Sequence, residues 1–169
     1  MVTENFGQLT WETIRRQSGI DVDYFISNEP YADEVTYKLA QTVSSVLHMT
    51  VDEVLVAFGE HWVLKTGRQK YGGLIEAGGH SLKEFLIHLP AFHNRVMLIY
   101  PNLTPPEFKI TQVQENSLLV HYYSQREGLA MFVKGLLQGL GKLFQTPCTV
   151  DMVSGERLQN EKETYKVSW

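Results

Sequence analysis

The order of local patterns in this 169-residue chain predicts an α+β fold, a helical N-terminal part packed on a C-terminal four-stranded antiparallel sheet with helices. Three observations carry that reading. Two capping boxes, Thr50-Val-Asp-Glu53 and Ser81-Leu-Lys-Glu84, each stand directly before an apolar run of helical period. The proline-rich connector Pro101-Asn-Leu-Thr-Pro-Pro106 then ends the helical grammar. Beyond it, β-branched and aromatic runs bracket one amphipathic helix in the order hairpin, helix, hairpin.

The first capping box opens a helix from Val51 to about Val63, with Val54, Leu55, Phe58, Trp62 and Val63 on one side. The second opens a short helix that Pro90 is expected to end or kink, since its ring removes an N–H and clashes with the preceding turn. Pro90 also suits the first position of a fresh helix running to about Tyr100. Gly72-Gly73 and Gly78-Gly79 mark loops around another helical piece. Strands are expected at Phe108 to Val113, Leu118 to Tyr123, Cys148 to Val153 and Thr164 to Trp169, with a helix from Glu127 to Phe144. No internal repeat or low-complexity tract divides the chain, so residues 1–169 read as one domain.

Hydrophobic residues make up 43% and charged residues 20%, values that exclude disordered and fibrous classes. A net charge of -4 with interspersed signs argues against a nucleic-acid surface, which needs a basic stripe. The single cysteine, Cys148, excludes an internal disulfide and suits a reducing cytosol. No apolar run approaches the ~18 residues of a membrane helix, and no signal-peptide pattern opens the chain. A cytoplasmic protein is the expectation.

Three features carry chemistry. Tyr122, Ser124 and Arg126 alternate along a strand-like run, which places a phenol, a hydroxyl and a guanidinium on one face. Such a row suits a ligand with two carboxylates, because an arginine fork grips one of them bidentately and the hydroxyls complete the clamp. A solvated edge strand is the alternative. His93 shares a helical face with Leu89, Val96, Met97 and Tyr100, so its imidazole needs a partner. Either a backbone carbonyl satisfies it, or it is the single protein ligand of a haem iron, whose macrocycle fills four other positions. The third feature is the face of Leu129, Phe132, Val133, Leu136, Leu137, Leu140, Leu143 and Phe144, which bears no hydrogen-bonding side chain. Gly135, Gly139 and Gly141 in the same helix leave room for close approach to its backbone.

Together with Trp11-Glu-Thr-Ile14, Tyr31-Ala-Asp-Glu-Val-Thr-Tyr37, Ala57-Phe-Gly-Glu60, Tyr71-Gly72, Ile99-Tyr-Pro101, Pro105-Pro106 and His121-Tyr-Tyr-Ser-Gln-Arg-Glu-Gly-Leu129, these features resemble the H-NOX (haem nitric oxide/oxygen binding) family. Its eukaryotic member is the sensor domain of the soluble guanylate cyclase β subunit. The resemblance runs through essentially the whole chain, and Tyr-x-Ser-x-Arg is its most specific element. It implies haem b held between the two parts of the fold, with His93 as axial iron ligand and Tyr122, Ser124 and Arg126 on the propionates. Pro106 matches the proline that bends the macrocycle, and Asp33 an aspartate near the arginine. Phe132 falls where oxygen-binding members place a distal tyrosine, with Met131 the off-by-one alternative. Trp62 is similar to a second distal-pocket residue.

Bound oxygen needs a distal hydrogen-bond donor, whereas NO and CO bind ferrous haem without one. A phenylalanine at position 132 therefore predicts NO selectivity, with the Trp62 indole N–H as a competing donor. The resemblance implies a non-enzymatic sensor in which NO breaks the iron–His93 bond and the helical part shifts against the sheet. The implied partner is a separate signalling protein such as a histidine kinase or a cyclic-di-GMP enzyme. An oxygen sensor and a cofactor-free interaction module are the alternatives; a serine hydrolase lacks its Gly-x-Ser-x-Gly elbow. Two departures stand out: the family's first helix, of about 11 residues, is mostly missing ahead of Gly7, and Pro90 stands where relatives often carry an acidic residue.

Overall fold

The computed structural model describes residues 1–20, 25, 31–99, 106–153 and 161–169. Residues 100–105, with Tyr100 and most of the expected proline connector, lie outside them. The helical part consists of α1 (Val2–Phe6), α2 (Gln8–Ser18), α3 (Asp33–Leu47), α4 (Val51–His61), a π-helical stretch (Trp62–Gly67), α5 (Arg68–Glu76) and α6 (Leu82–Ile99). Then follow β1 (Glu107–Thr111), β2 (Ser117–Tyr123), α7 (Ala130–Leu143), β3 (Thr149–Met152) and β4 (Glu161–Ser168). The strands form one antiparallel sheet in the order β1-β2-β4-β3, so the two hairpins meet along β2 and β4.

Both capping boxes act as N-terminal signals, in different ways. At α4 the box is complete: Glu53 N–H donates to the Thr50 hydroxyl, and the Glu53 carboxylate accepts from Thr50 N–H. At α6 the Ser81 hydroxyl accepts from Glu84 N–H at 3.2 Å, but the Glu84 carboxylate reaches past it to His80 N–H at 2.8 Å.

Pro90 neither ends α6 nor starts a new helix; one helix runs from Leu82 to Ile99 with the proline inside. The surroundings override the local cost. Leu86, Leu89 and Phe92, on either side of the proline, are buried in the main core at 0%, 5% and 7% exposure. That packing holds the helix through a position where the Leu86 carbonyl has no N–H to accept from. Met97, one turn after His93 on the same face, is an exposed side chain.

The sheet's inner face is set by strict alternation. Leu118, Val120 and Tyr122 of β2 point inward and pair in register with Val167, Tyr165 and Glu163 of β4. Tyr165, fully buried, ties the sheet to the next layer by donating to the Ala130 carbonyl at the start of α7. The main core joins α5, α6, the sheet and α7, while Val2, Ile14, Val43 and Val54 form a smaller cluster in the N-terminal helices.

The glycines of α7 serve helix packing. A Cβ on Gly135 would overlap the Val56 backbone of α4, and one on Gly139 would press on Glu60 and Val63. Gly59 on α4 answers them, lying against the α7 backbone at Phe132 and Leu136. Gly141 is closed by the Cys148 thiol. The close approach read from these glycines is thus made by α4 and by Cys148, just before β3.

Candidate functional site

α6 presents His93 to the sheet. Its Nδ1 lies 3.1 Å from the Leu89 carbonyl one turn back. A carbonyl only accepts, so Nδ1 carries the proton and Nε2 is left with an open lone pair. Burial pushes the imidazole below its usual value against a smaller opposing effect of the Leu89 bond, which keeps the ring neutral near pH 7. The ring is half-buried and walled by aromatics, with Phe108 at 4.8 Å and Phe92 at 5.4 Å between centroids. One nitrogen is therefore satisfied by backbone, and the other has no partner among the described residues.

From His93 a row of rings crosses the sheet. Phe108 on β1 is the ladder partner of Tyr122 on β2, and their rings sit 5.6 Å apart. Tyr122 is only 3% exposed, and its hydroxyl makes no hydrogen bond among the described residues. Pro106, half-buried, leads into β1 just before this row. Neither Phe108 nor Glu163, a buried carboxylate opposite Tyr122, is flagged by the sequence pattern. Both follow from alternation once the register is known.

The expectation that Tyr122, Ser124 and Arg126 share a strand face is corrected. β2 ends at Tyr123 after a register shift between Tyr122 and Tyr123, so only the tyrosine is on the strand. Ser124 and Arg126 lie in the loop that leads to α7, where the Ser124 hydroxyl accepts from Arg126 N–H at 3.0 Å. This local turn is what ends the strand, because a serine side chain offers the backbone an alternative to the ladder. Arg126 Nε donates to Asp33 Oδ1 at 2.7 Å, across 93 residues of sequence. The Nη groups of the fork have no partner among the described residues.

Of the residues read as distal, Trp62 packs against the main core, while Phe132 and Met131 lie on α7 outside it. Phe132 packs its ring on Phe58 at 5.1 Å. Trp62 stacks on Tyr71 at 6.0 Å, and Tyr71 in turn meets Phe92, the neighbour of His93, at 6.4 Å. Met131 lines a separate groove with Asp52, Glu53, Val56 and Lys134, whereas Phe132 has its ring on Phe58, which is itself 39% exposed. Neither this groove nor a second one near Cys148 includes His93, Tyr122, Ser124 or Arg126.

This donor set fits a haem. Among the described residues no three histidine, cysteine or acidic side chains converge to hold a bare metal ion. An iron at His93 Nε2 would then need its other ligands from a macrocycle, for which the aromatic walls are suited. Unengaged donors at Tyr122, Ser124 and Arg126 match two carboxylate tails.

Comparison with known proteins agrees. The family model described as Haem-NO-binding matches residues 1–152. Soluble guanylate cyclase gcy-32 of Caenorhabditis elegans is 29% identical over 173 residues, covering 94% of this chain and 25% of its own length. Soluble guanylate cyclase gcy-31 of the same organism is 24% identical, covering 92% and 22%. The chain thus spans about a quarter of the length of these relatives. Among solved structures, the Fe(II) unliganded H-NOX protein from K. algicida superposes with a TM-score of 0.81 at 23% identity, covering 99% of this chain and 89% of the other. An S. oneidensis H-NOX protein in the Fe(II)NO ligation state gives 0.81 at 17%, covering 99% and 92%. These likenesses establish the α+β fold, and with the family match they show that the chain belongs to the H-NOX family of haem-binding gas-sensor domains.

Proposed function

We propose that this chain binds haem b through His93 Nε2, anchors the propionates with Tyr122, Ser124 and Arg126, and senses NO and CO in preference to oxygen. The observation that carries the reading is the state of His93: a neutral imidazole with Nδ1 tied to Leu89 and Nε2 open in an aromatic wall. A backbone partner on the second nitrogen is the usual device for orienting a metal-bound histidine. When bound, ferrous haem held by His93 would supply an iron able to take a diatomic gas.

The chain's own part is to convert loss of the iron–His93 bond into movement. The N-terminal half of α6 is held: His88 Nδ1 donates to the Gly78 carbonyl at 2.8 Å, Lys83 donates to the Glu115 carbonyl at 3.2 Å, and Leu82, Phe85 and Leu86 are 0–2% exposed. Its C-terminal half ends in Met97, Leu98 and Ile99, exposed by 38%, 84% and 54%. Pro90 lies at the junction, where the helix lacks one internal hydrogen bond. Release of His93 removes one tie on residues 91–99, so that a swing about Pro90 is opposed chiefly by Phe92 and Val96 in the main core while the first half stays seated. This is a two-state element biased by ligand.

Selectivity follows from Phe132, an aromatic with no donor packed on Phe58. Oxygen sensing remains the second reading because the Trp62 indole N–H has no partner among the described residues. H-NOX domains signal to partner proteins; here a separate cytoplasmic partner such as a histidine kinase or a cyclic-di-GMP enzyme is proposed. No helix of the described residues is long and apolar enough to cross a membrane. The test is the absorbance spectrum of the ferrous protein with and without each gas. A Soret band that shifts with NO and CO and shows no stable response to oxygen is expected. A colourless protein would leave the cofactor-free interaction module, and a reversible oxygen response would reverse the selectivity.

A further inference from the structure

We infer that Tyr37 is a positioning residue for the anionic end of the ligand site, acting through the loop that carries Ser124 and Arg126. The inference rests on the haem reading above and extends it to a residue on the opposite part of the fold. Past Tyr123 this loop has left the ladder, so the sheet no longer fixes it. Its anchorage comes from α3. Asp33 and Tyr37 are one turn apart on that helix and so share a face. Asp33 takes Arg126 Nε at 2.7 Å, and the Tyr37 hydroxyl donates to the Glu127 carbonyl at 2.6 Å. The Tyr37 ring also lies over Gly128, where an added Cβ would sit 3.6 Å from its Cε1.

Two of these contacts are to backbone or glycine, so they specify where the loop runs and not merely which charge Arg126 meets. Gly128 has φ of 68°, a left-handed turn suited to glycine, and α7 starts two residues later. Burial first, and Asp33 next, push the Tyr37 phenol above its usual value. The hydroxyl therefore stays protonated and keeps donating. Without that bond the loop loses one of its two anchors on α3, and the Arg126 guanidinium is held by one exposed ion pair, a weak restraint. The clamp would then lose the orientation that lets it grip both oxygens of a carboxylate.

The experiment is a cycle of Tyr37→Phe, Arg126→Ala and the double variant in the haem-loaded protein. It reads the rate of haem transfer to excess apomyoglobin and the propionate bending bands in the resonance Raman spectrum. Tyr37→Phe is expected to speed transfer about fivefold to tenfold, the size of one hydrogen bond, and to shift the propionate bands. In the Arg126→Ala background it is expected to add nothing. If Arg126→Ala speeds transfer but Tyr37→Phe does not, or adds its full factor to Arg126→Ala, the role of Tyr37 is refuted while the propionate assignment stands. If Arg126→Ala itself leaves transfer and Raman bands unchanged, the propionate assignment fails, and this inference with it. A Tyr37→Phe protein that does not fold would also refute it, since the hydroxyl would then serve the fold and not the site.

Discussion

Gly135 of α7 lies flat on the Val56 backbone of α4: a Cβ there would be 2.8 Å from Val56 Cα while overlapping its carbonyl. Backbone cannot yield as a side-chain tip does, so Gly135→Ala must push the two helices apart. The expected loss is about 1–3 kcal/mol of stability, the usual cost of overpacking, read as a lower urea midpoint. Gly72→Ala, where nothing lies within 4 Å of the added Cβ, is the control and should not destabilise.

Asp33 and Arg126 are 40% and 46% exposed, so their ion pair contributes little to folding. Asp33→Asn should change stability by less than about 1 kcal/mol. It should nevertheless speed haem loss severalfold, because the guanidinium loses its orienting partner. Parallel urea titration and haem-transfer kinetics separate the two effects; equal changes in both would argue against a site role for the pair.

Pro90 sits inside α6 at a cost in helical hydrogen bonding. Replacing it with alanine restores the bond to Leu86 and should stabilise the protein by about 2 kcal/mol, the helix penalty less the entropy proline removes from the unfolded chain. If the proline is the flexion point, Pro90→Ala should also shrink the NO-induced change in hydrogen exchange at residues 91–99. Stabilisation with an undiminished exchange response would remove Pro90 from the switching account. A Pro106→Ala variant tests the proposed haem-bending role of Pro106, and flatter haem is the expected result in the Raman spectrum.

His61, near the end of α4, has its pKa lowered, first by burial, then by the terminal amino group and Lys65, against the pull of Glu4 at 3.7 Å. The unfolded chain therefore takes up the proton more readily than the folded one. Stability contributed by neutral His61 is present above about pH 6.5 and declines as pH falls toward the lower folded value. The His61→Gln variant should show a shallower decline over that window in urea midpoints measured at successive pH values.

Much of the fold was legible because it is locally encoded. The Thr50 and Ser81 boxes mark true helix starts, and the β-branched and aromatic run at Leu118–Tyr123 gives the strand, though not that Tyr122 lies on its buried face. What failed was decided by contacts remote in sequence. Nothing near Pro90 announces the core packing of Leu86 and Phe92 that keeps α6 whole. Spacing alone put Ser124 and Arg126 on a strand, whereas a side-chain bond within the turn and anchors on α3 take them off it. The α7 glycines allowed several partners by composition, and only the fold selects α4. His93 on an apolar face was legible locally, and its ring does lie against Phe92 and Phe108. Tyr37 was visible only as the residue one turn after Asp33, and Phe108 only once the ladder with Tyr122 is set.

The most direct measurement is the spectrum and NO response of His93→Ala, purified with and without free imidazole. If Nε2 of that ring is the iron ligand, pigment should be lost or bleached, return when imidazole is supplied, and no longer pass an NO-dependent change to α6. A variant that keeps wild-type colour and gas response without imidazole would contradict the account.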